Sequence, residues 1–153
     1  MDDASENPAS AAMTKEDYEK LAHFRYQLRR FLRFSEEVTH RRGITVLQYL
    51  LMLQLKGFPG REWATVGELA ERLQAQPHGI VSMVTRCENA GLVRRHASKS
   101  DKRRVEVRLT AKGERCLESL ARMHRAELVS LAGLLAVPDL APAAGHAGSP
   151  KES

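Results

Sequence analysis

Residues 65–113 decide the fold, and their sequence is TVGELAERLQAQPHGIVSMVTRCENAGLVRRHASKSDKRRVEVRLTAKG. It opens on Thr65 and Glu68, which stand three residues apart as in a capping box, so a short helix is predicted over about 66–73. Helical spacing continues through the first half of the stretch and gives way to strand-like alternation in the second half. The order of the central elements can therefore be derived from it.

A second helix is predicted from Pro77 to about Ala90. Proline is favoured in the first turn of a helix because the N–H that it lacks has no partner there, and Gly91 suits the position just past the end. The predicted inward face comprises Ile80, Met83, Val84 and Cys87. The predicted outward face has no large apolar residue and comprises His78, Gly79, Ser82, Thr85, Arg86 and Asn89.

A hairpin follows the second helix. Val105, Val107 and Leu109 alternate with charged residues, as in a half-buried strand. Residues 92–97 can pair with that strand through a polar loop over 98–103, which gives a two-stranded wing. The prediction is a mainly α (α+β) fold, a winged helix-turn-helix.

Long helices flank this unit. Thr14 can cap a first helix that runs to about His40, and Thr110 can cap a last one. A capping box of Thr45 and Gln48 opens a buried helix over about 46–56, and the loop after it carries Trp63. Apolar residues three and four apart give both long helices a seam suited to a core or a partner helix. The seams comprise Leu21, Phe24, Leu28, Phe31 and Val38, with Ser35 as an interruption, and Leu117, Leu120, His124, Leu128, Leu131 and Leu135.

The chain therefore divides into one domain and two tails. Residues 14–137 form the predicted domain, in which long helices over about 14–42 and 111–137 flank a lobe over about 62–110 that contains the helix-turn-helix and the hairpin. Residues 1–13 and 138–153 are poor in packing residues and are predicted to be disordered.

Positive charge is concentrated in one part of the chain. The net charge is +5, with 24 Lys and Arg against 19 Asp and Glu, but residues 77–115 alone carry ten cations against four anions. The predicted wing loop contains Lys99, Lys102, Arg103 and Arg104. Such a tip suits phosphate contact and entry into a narrow minor groove, where negative potential attracts arginine. Asp101 has two open roles, which are to pair with a neighbouring arginine or to form the turn.

The stretch resembles the MarR-type winged helix-turn-helix regulators. The matching segments are TVGELA from Thr65, ENAGLV from Glu88, and DKRR from Asp101 running into VRLTAKG at Val107. The flanking helices, over about 14–42 and 111–137, are similar to the dimerisation helices of that family, so the resemblance covers about residues 14–135 and implies a DNA-binding lobe over about 62–110. It implies a homodimer that binds a palindromic operator in double-stranded DNA, with Asp101 and Arg103 as a wing pair. Residues 76–79, Gln-Pro-His-Gly, depart from the family pattern, so no base preference is carried over.

The resemblance also assigns candidate site residues. The recognition helix presents Gln76, Pro77, His78, Gly79, Ser82, Thr85 and Arg86, and Thr65 caps the helix before it. The wing presents Lys99, Ser100, Asp101, Lys102, Arg103 and Arg104. Similar regulators bind small aromatic or phenolic acids, and a pocket of His40, Arg41 and Trp63 could serve such an effector. Arg25, Arg29, Arg30 and Arg33 form either a solvated face or an anion-binding lining.

Several classes of protein are not expected. The most apolar run, residues 44–55, is shorter than the roughly 20 residues of a membrane span, and the acidic start of the chain fits no secretory signal. Cys87 and Cys116 lie too far apart for a CxxC motif and are interpreted as free packing thiols rather than redox sensors. The six histidines show no metal-ligand spacing, and no phosphate loop, nucleophile elbow or carboxylate pair is present. We therefore expect a cytoplasmic protein with no catalytic site, metal or cofactor.

Two functions fit the pattern. The first is a dimeric transcriptional regulator, a repressor released from its operator by a small effector. The alternative is a winged-helix interaction module whose basic hairpin docks acidic protein partners.

Overall fold

The computed structural model describes residues 11–140, which form five helices and one three-stranded antiparallel sheet. The elements in chain order are α1 (Lys15–Arg41), α2 (Val46–Lys56), β1 (Trp63–Ala64), α3 (Val66–Leu73), α4 (Pro77–Asn89), β2 (Val93–Ala97), β3 (Val105–Leu109) and α5 (Ala111–Ser130). The predicted winged helix-turn-helix fold is confirmed.

Local capping explains why the helices begin where the sequence predicts. The Thr65 hydroxyl accepts the Glu68 backbone N–H at 3.3 Å, and the Glu68 carboxylate accepts the Thr65 backbone N–H at 2.9 Å. The same reciprocal pair joins Thr45 and Gln48 at the start of α2. Because a capping box needs only residues within one turn, the sequence alone contains the whole signal.

The sheet has one more strand than the sequence predicts. β3 lies in the centre, with β2 on one side and the two-residue strand β1 on the other. Trp63, predicted to lie in a loop, belongs to β1 and pairs with Arg108. The predicted two-stranded wing, β2 with β3, is confirmed, and β1 was missed because two residues are too few to show any alternation. β2 and β3 pair from Val93 with Leu109 to Ala97 with Val105.

The last helix is shorter than predicted. α5 ends at Ser130, whereas the leucine spacing predicts helix to about residue 137. The chain turns instead around Leu131, whose carbonyl accepts the N–H groups of both Leu134 and Leu135. Gly133 has a φ of +85°, a left-handed conformation that glycine adopts without strain and that interrupts the helix.

The chain divides into two compact units. One comprises residues 30–130 and contains nearly all of the buried apolar side chains. The other comprises residues up to 29 together with those from 131 onward, and in it the Lys20 ammonium donates to the Asp139 carbonyl at 3.3 Å. Most of the predicted disordered tails lie outside the described residues.

The core of residues 30–130 is mainly apolar and contains a hydrogen-bonded pair of buried polar side chains, Ser35 and His124. Its fully buried members come from α2, α3, α4, the sheet and α5, and include Leu51, Met52, Leu55, Leu69, Ile80, Val84, Val93, Val107 and Leu120. The buried imidazole of His124 contacts the Ser35 hydroxyl through Nε2 at 2.8 Å and the Leu120 carbonyl through Nδ1 at 2.7 Å. Since a carbonyl only accepts, Nδ1 donates, and in the neutral ring Nε2 accepts the serine proton. The Tyr49 ring stacks on the imidazole at 4.3 Å.

Gly113, in the first turn of α5, is required by close packing against the start of the wing. A Cβ atom added there would lie 2.0 Å from the Leu92 carbonyl oxygen, a backbone atom whose position is already fixed by the Thr110 N–H. We expect Gly113→Ala to lower the free energy of unfolding by about 3 kcal/mol, the upper end for overpacking. Urea denaturation measures the loss.

Gly67→Ala is the matched control, because a Cβ added at Gly67 in α3 meets no atom within 4 Å. This variant should be as stable as the parent or slightly more so. Equal stability of the two variants would contradict the packing argument.

Candidate nucleic-acid interface

The helix-turn-helix presents one side of α4 to solvent. Ile80, Val84 and Cys87 are fully buried and attach the helix to the core, as predicted. The turn before α4 passes through Gln74, whose left-handed backbone (φ 50°) reverses the chain after α3. The Gln76 side chain makes no capping hydrogen bond, so the first-turn N–H groups of α4 are not capped from within. A helix N-terminus of this kind favours a phosphate oxygen.

All seven residues predicted to read DNA are exposed at α4 or its N-cap; they are Gln76, Pro77, His78, Gly79, Ser82, Thr85 and Arg86. Two of them use their hydroxyl protons inside the helix. Ser82 donates to the His78 carbonyl at 3.3 Å, and Thr85 donates to the Val81 carbonyl at 3.1 Å. Thr65 is separate from this surface, since it is half-buried at the start of α3.

One feature of the outward face was predicted wrongly. No large apolar residue is predicted there, but Val81 is 46% exposed. Val81 lies at the flank of the helix, next to the buried Ile80, where helical periodicity alone does not separate core from surface.

Arg95 in β2 joins the wing to α4. Its guanidinium donates to the Glu88 carboxylate at 3.1 Å, to the Val81 carbonyl at 3.2 Å and to the Thr85 hydroxyl at 2.9 Å. Its backbone N–H donates to the other Glu88 oxygen at 3.0 Å. These four hydrogen bonds fix the position of the recognition helix relative to the wing. No local sequence pattern marks this role, since Arg95 is one of ten cations over residues 77–115.

The wing tip is basic and exposed. Lys99, Lys102, Arg103 and Arg104 all lie between β2 and β3 with their side chains in solvent, as does Ser100. The loop is shaped by Ser98, which is 6% exposed and whose hydroxyl accepts the N–H groups of Ser100 and Asp101, each at 3.3 Å. The cationic side chains therefore project from a loop with a defined backbone.

Asp101 supports the turn. Its carboxylate accepts the Arg103 backbone N–H at 3.0 Å, and its carbonyl accepts the Arg104 N–H at 3.0 Å. Among the described residues, Asp101 forms no ion pair with the guanidinium of either arginine. Of its two open roles, the structure therefore shows the turn residue.

Comparison with known proteins identifies the family. A MarR family model matches residues 29–104, which contain the helix-turn-helix and most of the wing. The chain belongs to the MarR family. It is 40% identical over 74 residues to the transcriptional regulator HosA of Escherichia coli, a match that covers 48% of this chain and 53% of HosA. The MarR-type chain thus spans about half the length of that relative.

Solved MarR structures share the fold. AbsC of Streptomyces coelicolor superposes with a TM-score of 0.69 at 23% identity, over 85% of this chain and 87% of AbsC. A MepR variant of Staphylococcus aureus, bound to an oligodeoxyribonucleotide, superposes with a TM-score of 0.60 at 20% identity, over 82% of this chain and 86% of MepR.

The predicted effector residues of this MarR-family chain lie on separate elements. His40 and Arg41 are exposed in the last turn of α1, and Trp63 is half-buried in β1. The Arg61 guanidinium lies 3.8 Å from the Trp63 ring centroid and 4.2 Å from that of Phe58, and its Nη2 pairs with Glu68 at 2.5 Å. The indole therefore already has a cationic partner. The arginine run on α1 is exposed.

Both cysteines are free thiols, and both are at least partly buried. Burial raises the pKa of the Cys87 thiol to about 11, so this thiol stays protonated at neutral pH and is a poor nucleophile. Cys116 is half-buried against the core. Among residues 11–140, no group of His, Cys, Asp or Glu side chains is placed to hold a metal ion, and no helix is long and apolar enough to span a bilayer.

The contact between Arg95 and Glu88 predicts a pH-dependent stability. The Arg95 backbone N–H lowers the pKa of the Glu88 carboxyl below its ordinary 4.5, against a smaller opposing effect of burial. A carboxyl with a depressed folded pKa stabilises the fold above the unfolded pKa, and this contribution disappears as the pH falls through the folded value. We expect Glu88→Gln to lower Tm by a few degrees at pH 7, and the difference from the parent to shrink as the pH falls below 4.5.

Thermal melts of both proteins at each pH measure this difference. Glu118→Gln is the control, because it removes a carboxylate from an exposed i,i+4 pair with Arg122 that contributes little stability. A Glu88→Gln difference that stays the same from pH 7 to pH 2 would show that the Glu88 charge plays no part.

Proposed function

We propose that the chain is a dimeric, DNA-binding regulator of transcription that recognises a palindromic operator. The observation that carries the proposal is the fixed placement, through Arg95, of an exposed helix α4 beside a basic wing. A helix of this kind suits the major groove, and an arginine-rich loop suits the adjacent minor groove. The MepR variant of the same fold was solved with an oligodeoxyribonucleotide, and HosA is named a transcriptional regulator. Both findings support the proposal.

Exposed apolar side chains support the dimer. Leu32 on α1 is 46% exposed, and Leu128 and Val129 on α5 are 45% and 71% exposed. Side chains of this kind on long helices favour a partner helix, and a second copy of the chain supplies one. The two recognition helices of a dimer fit half-sites about 34–36 Å apart.

The proposed regulation is release from the operator by a small molecule. An aromatic or phenolic acid offers a carboxylate or phenolate to the exposed His40 and Arg41 at the end of α1. The molecule would act by binding more tightly to a dimer whose helix spacing does not match DNA. The protein then acts as a repressor in the cytoplasm, where the operator lies.

Gel filtration and fluorescence anisotropy test the proposal. We expect the full chain to elute as a dimer and to bind a palindromic duplex obtained by selection from a random library. Its affinity should fall linearly on a log–log plot against salt concentration, because phosphate contacts release counterions. A monomer that binds no duplex at low salt would overturn the proposal and favour the protein-interaction module instead.

Arg103→Ala tests the wing. Because the proposed dimer carries two copies of Arg103, the variant loses two phosphate-contacting cations, which should weaken binding several-fold or more at physiological salt and reduce the salt slope by about 2. Arg122→Ala removes the same charge from the exposed surface of α5 and should bind like the parent. If the two variants lose affinity equally, Arg103 contributes only to net charge and the wing contact is absent.

A further inference from the structure

Val81 contributes little to the fold. Its side chain is 46% exposed on α4, whereas the neighbouring Ile80 and Val84 are fully buried. A β-branched residue in a helix loses side-chain entropy, and an exposed one gains little packing in return. An apolar contact outside the chain would give this side chain a role.

The position of Val81 is unusually well fixed for an exposed residue. Its carbonyl accepts the Thr85 hydroxyl at 3.1 Å and the Arg95 guanidinium at 3.2 Å, in addition to lying within the helix. Valine in a helix also adopts one side-chain rotamer in about nine cases out of ten. Its two methyl groups are therefore held in place before any partner arrives.

The surroundings of Val81 are open, and their hydroxyls are already used. The Ser82 and Thr85 protons are donated to the helix backbone, and the Thr85 oxygen also accepts the Arg95 guanidinium. Gly79 has no side chain, and a Cβ added there would meet no atom within 4 Å. This part of α4 therefore offers methyl groups more readily than hydrogen-bond donors.

The apolar feature of the major groove is the C5-methyl group of thymine. We propose that Val81 is a specificity-determining residue that contacts a thymine methyl in each operator half-site. The inference rests on the proposed function, since it needs α4 in the major groove. It adds Val81 to the DNA-reading residues predicted from the sequence, which do not include it.

Replacement of thymine by deoxyuridine tests the contact, because uracil keeps the pairing and the O4 acceptor and lacks only the methyl group. Duplexes carrying one such replacement, in one half-site of a selected operator, are titrated with the full chain. We expect the parent to lose about three- to fivefold in affinity at one or two thymines, the factor for one methyl removed from an apolar contact. Val81→Ala should bind both duplexes equally.

Val105→Ala is the matched control, because Val105 in β3 is a similarly exposed valine (42%) outside α4, and this variant should keep the discrimination. Val81→Ala replaces an exposed valine by a better helix former, and a thermal melt checks that it is folded. Two results would overturn the inference and leave the proposed function intact: salt-dependent binding by the parent that ignores every thymine methyl, or discrimination that survives in Val81→Ala. A parent that binds no duplex would overturn both.

Discussion

The hydrogen bonds of Arg95 couple the two parts of the surface that would meet DNA. A helix-turn-helix and a hairpin that moved independently would lose entropy on binding, since each would have to be ordered against the duplex. In this chain one guanidinium from β2 contacts both a side chain and a main-chain carbonyl of α4, with Glu88 as the charged partner. Helix and wing are thereby preorganised as one body.

In the wing tip, the residues that shape the loop differ from the residues that carry its positive charge. The loop backbone is shaped by Ser98 and Asp101, whose oxygens accept main-chain N–H groups. Its shape therefore does not depend on the four cationic side chains around it. In α4, likewise, buried Ile80 and Val84 attach the helix, while its polar residues face solvent. Side chains that support the fold and side chains that would bind DNA are largely different residues.

The sequence predicted most of the fold because its signals are local. The capping boxes at Thr45 and Thr65 place α2 and α3 to within a residue, and alternation finds β3. The wrong or missing predictions concern features that local sequence patterns do not show. β1 becomes a strand only through pairing with β3, distant in sequence, and α5 stops early despite a leucine period that continues past Ser130. Neither the tertiary contacts of Arg95 nor the exposure of Val81 produces a periodic pattern in the sequence. The cations can therefore be listed from the sequence, but the residue that positions α4 cannot be identified from it.

The buried pair of Ser35 and His124 has a consequence for how α1 and α5 fit together. Both helices carry leucine-rich seams, and apolar seams alone tolerate sliding by a turn. If α1 shifted by one turn against α5, the imidazole would be surrounded by apolar side chains and its Nε2 would have no hydroxyl partner. The unsatisfied buried polar group would then destabilise the fold. The two side chains therefore favour one register of α1 against α5. A relative with leucine at both places would gain hydrophobic contact and lose the hydrogen bond that favours one register of the two helices.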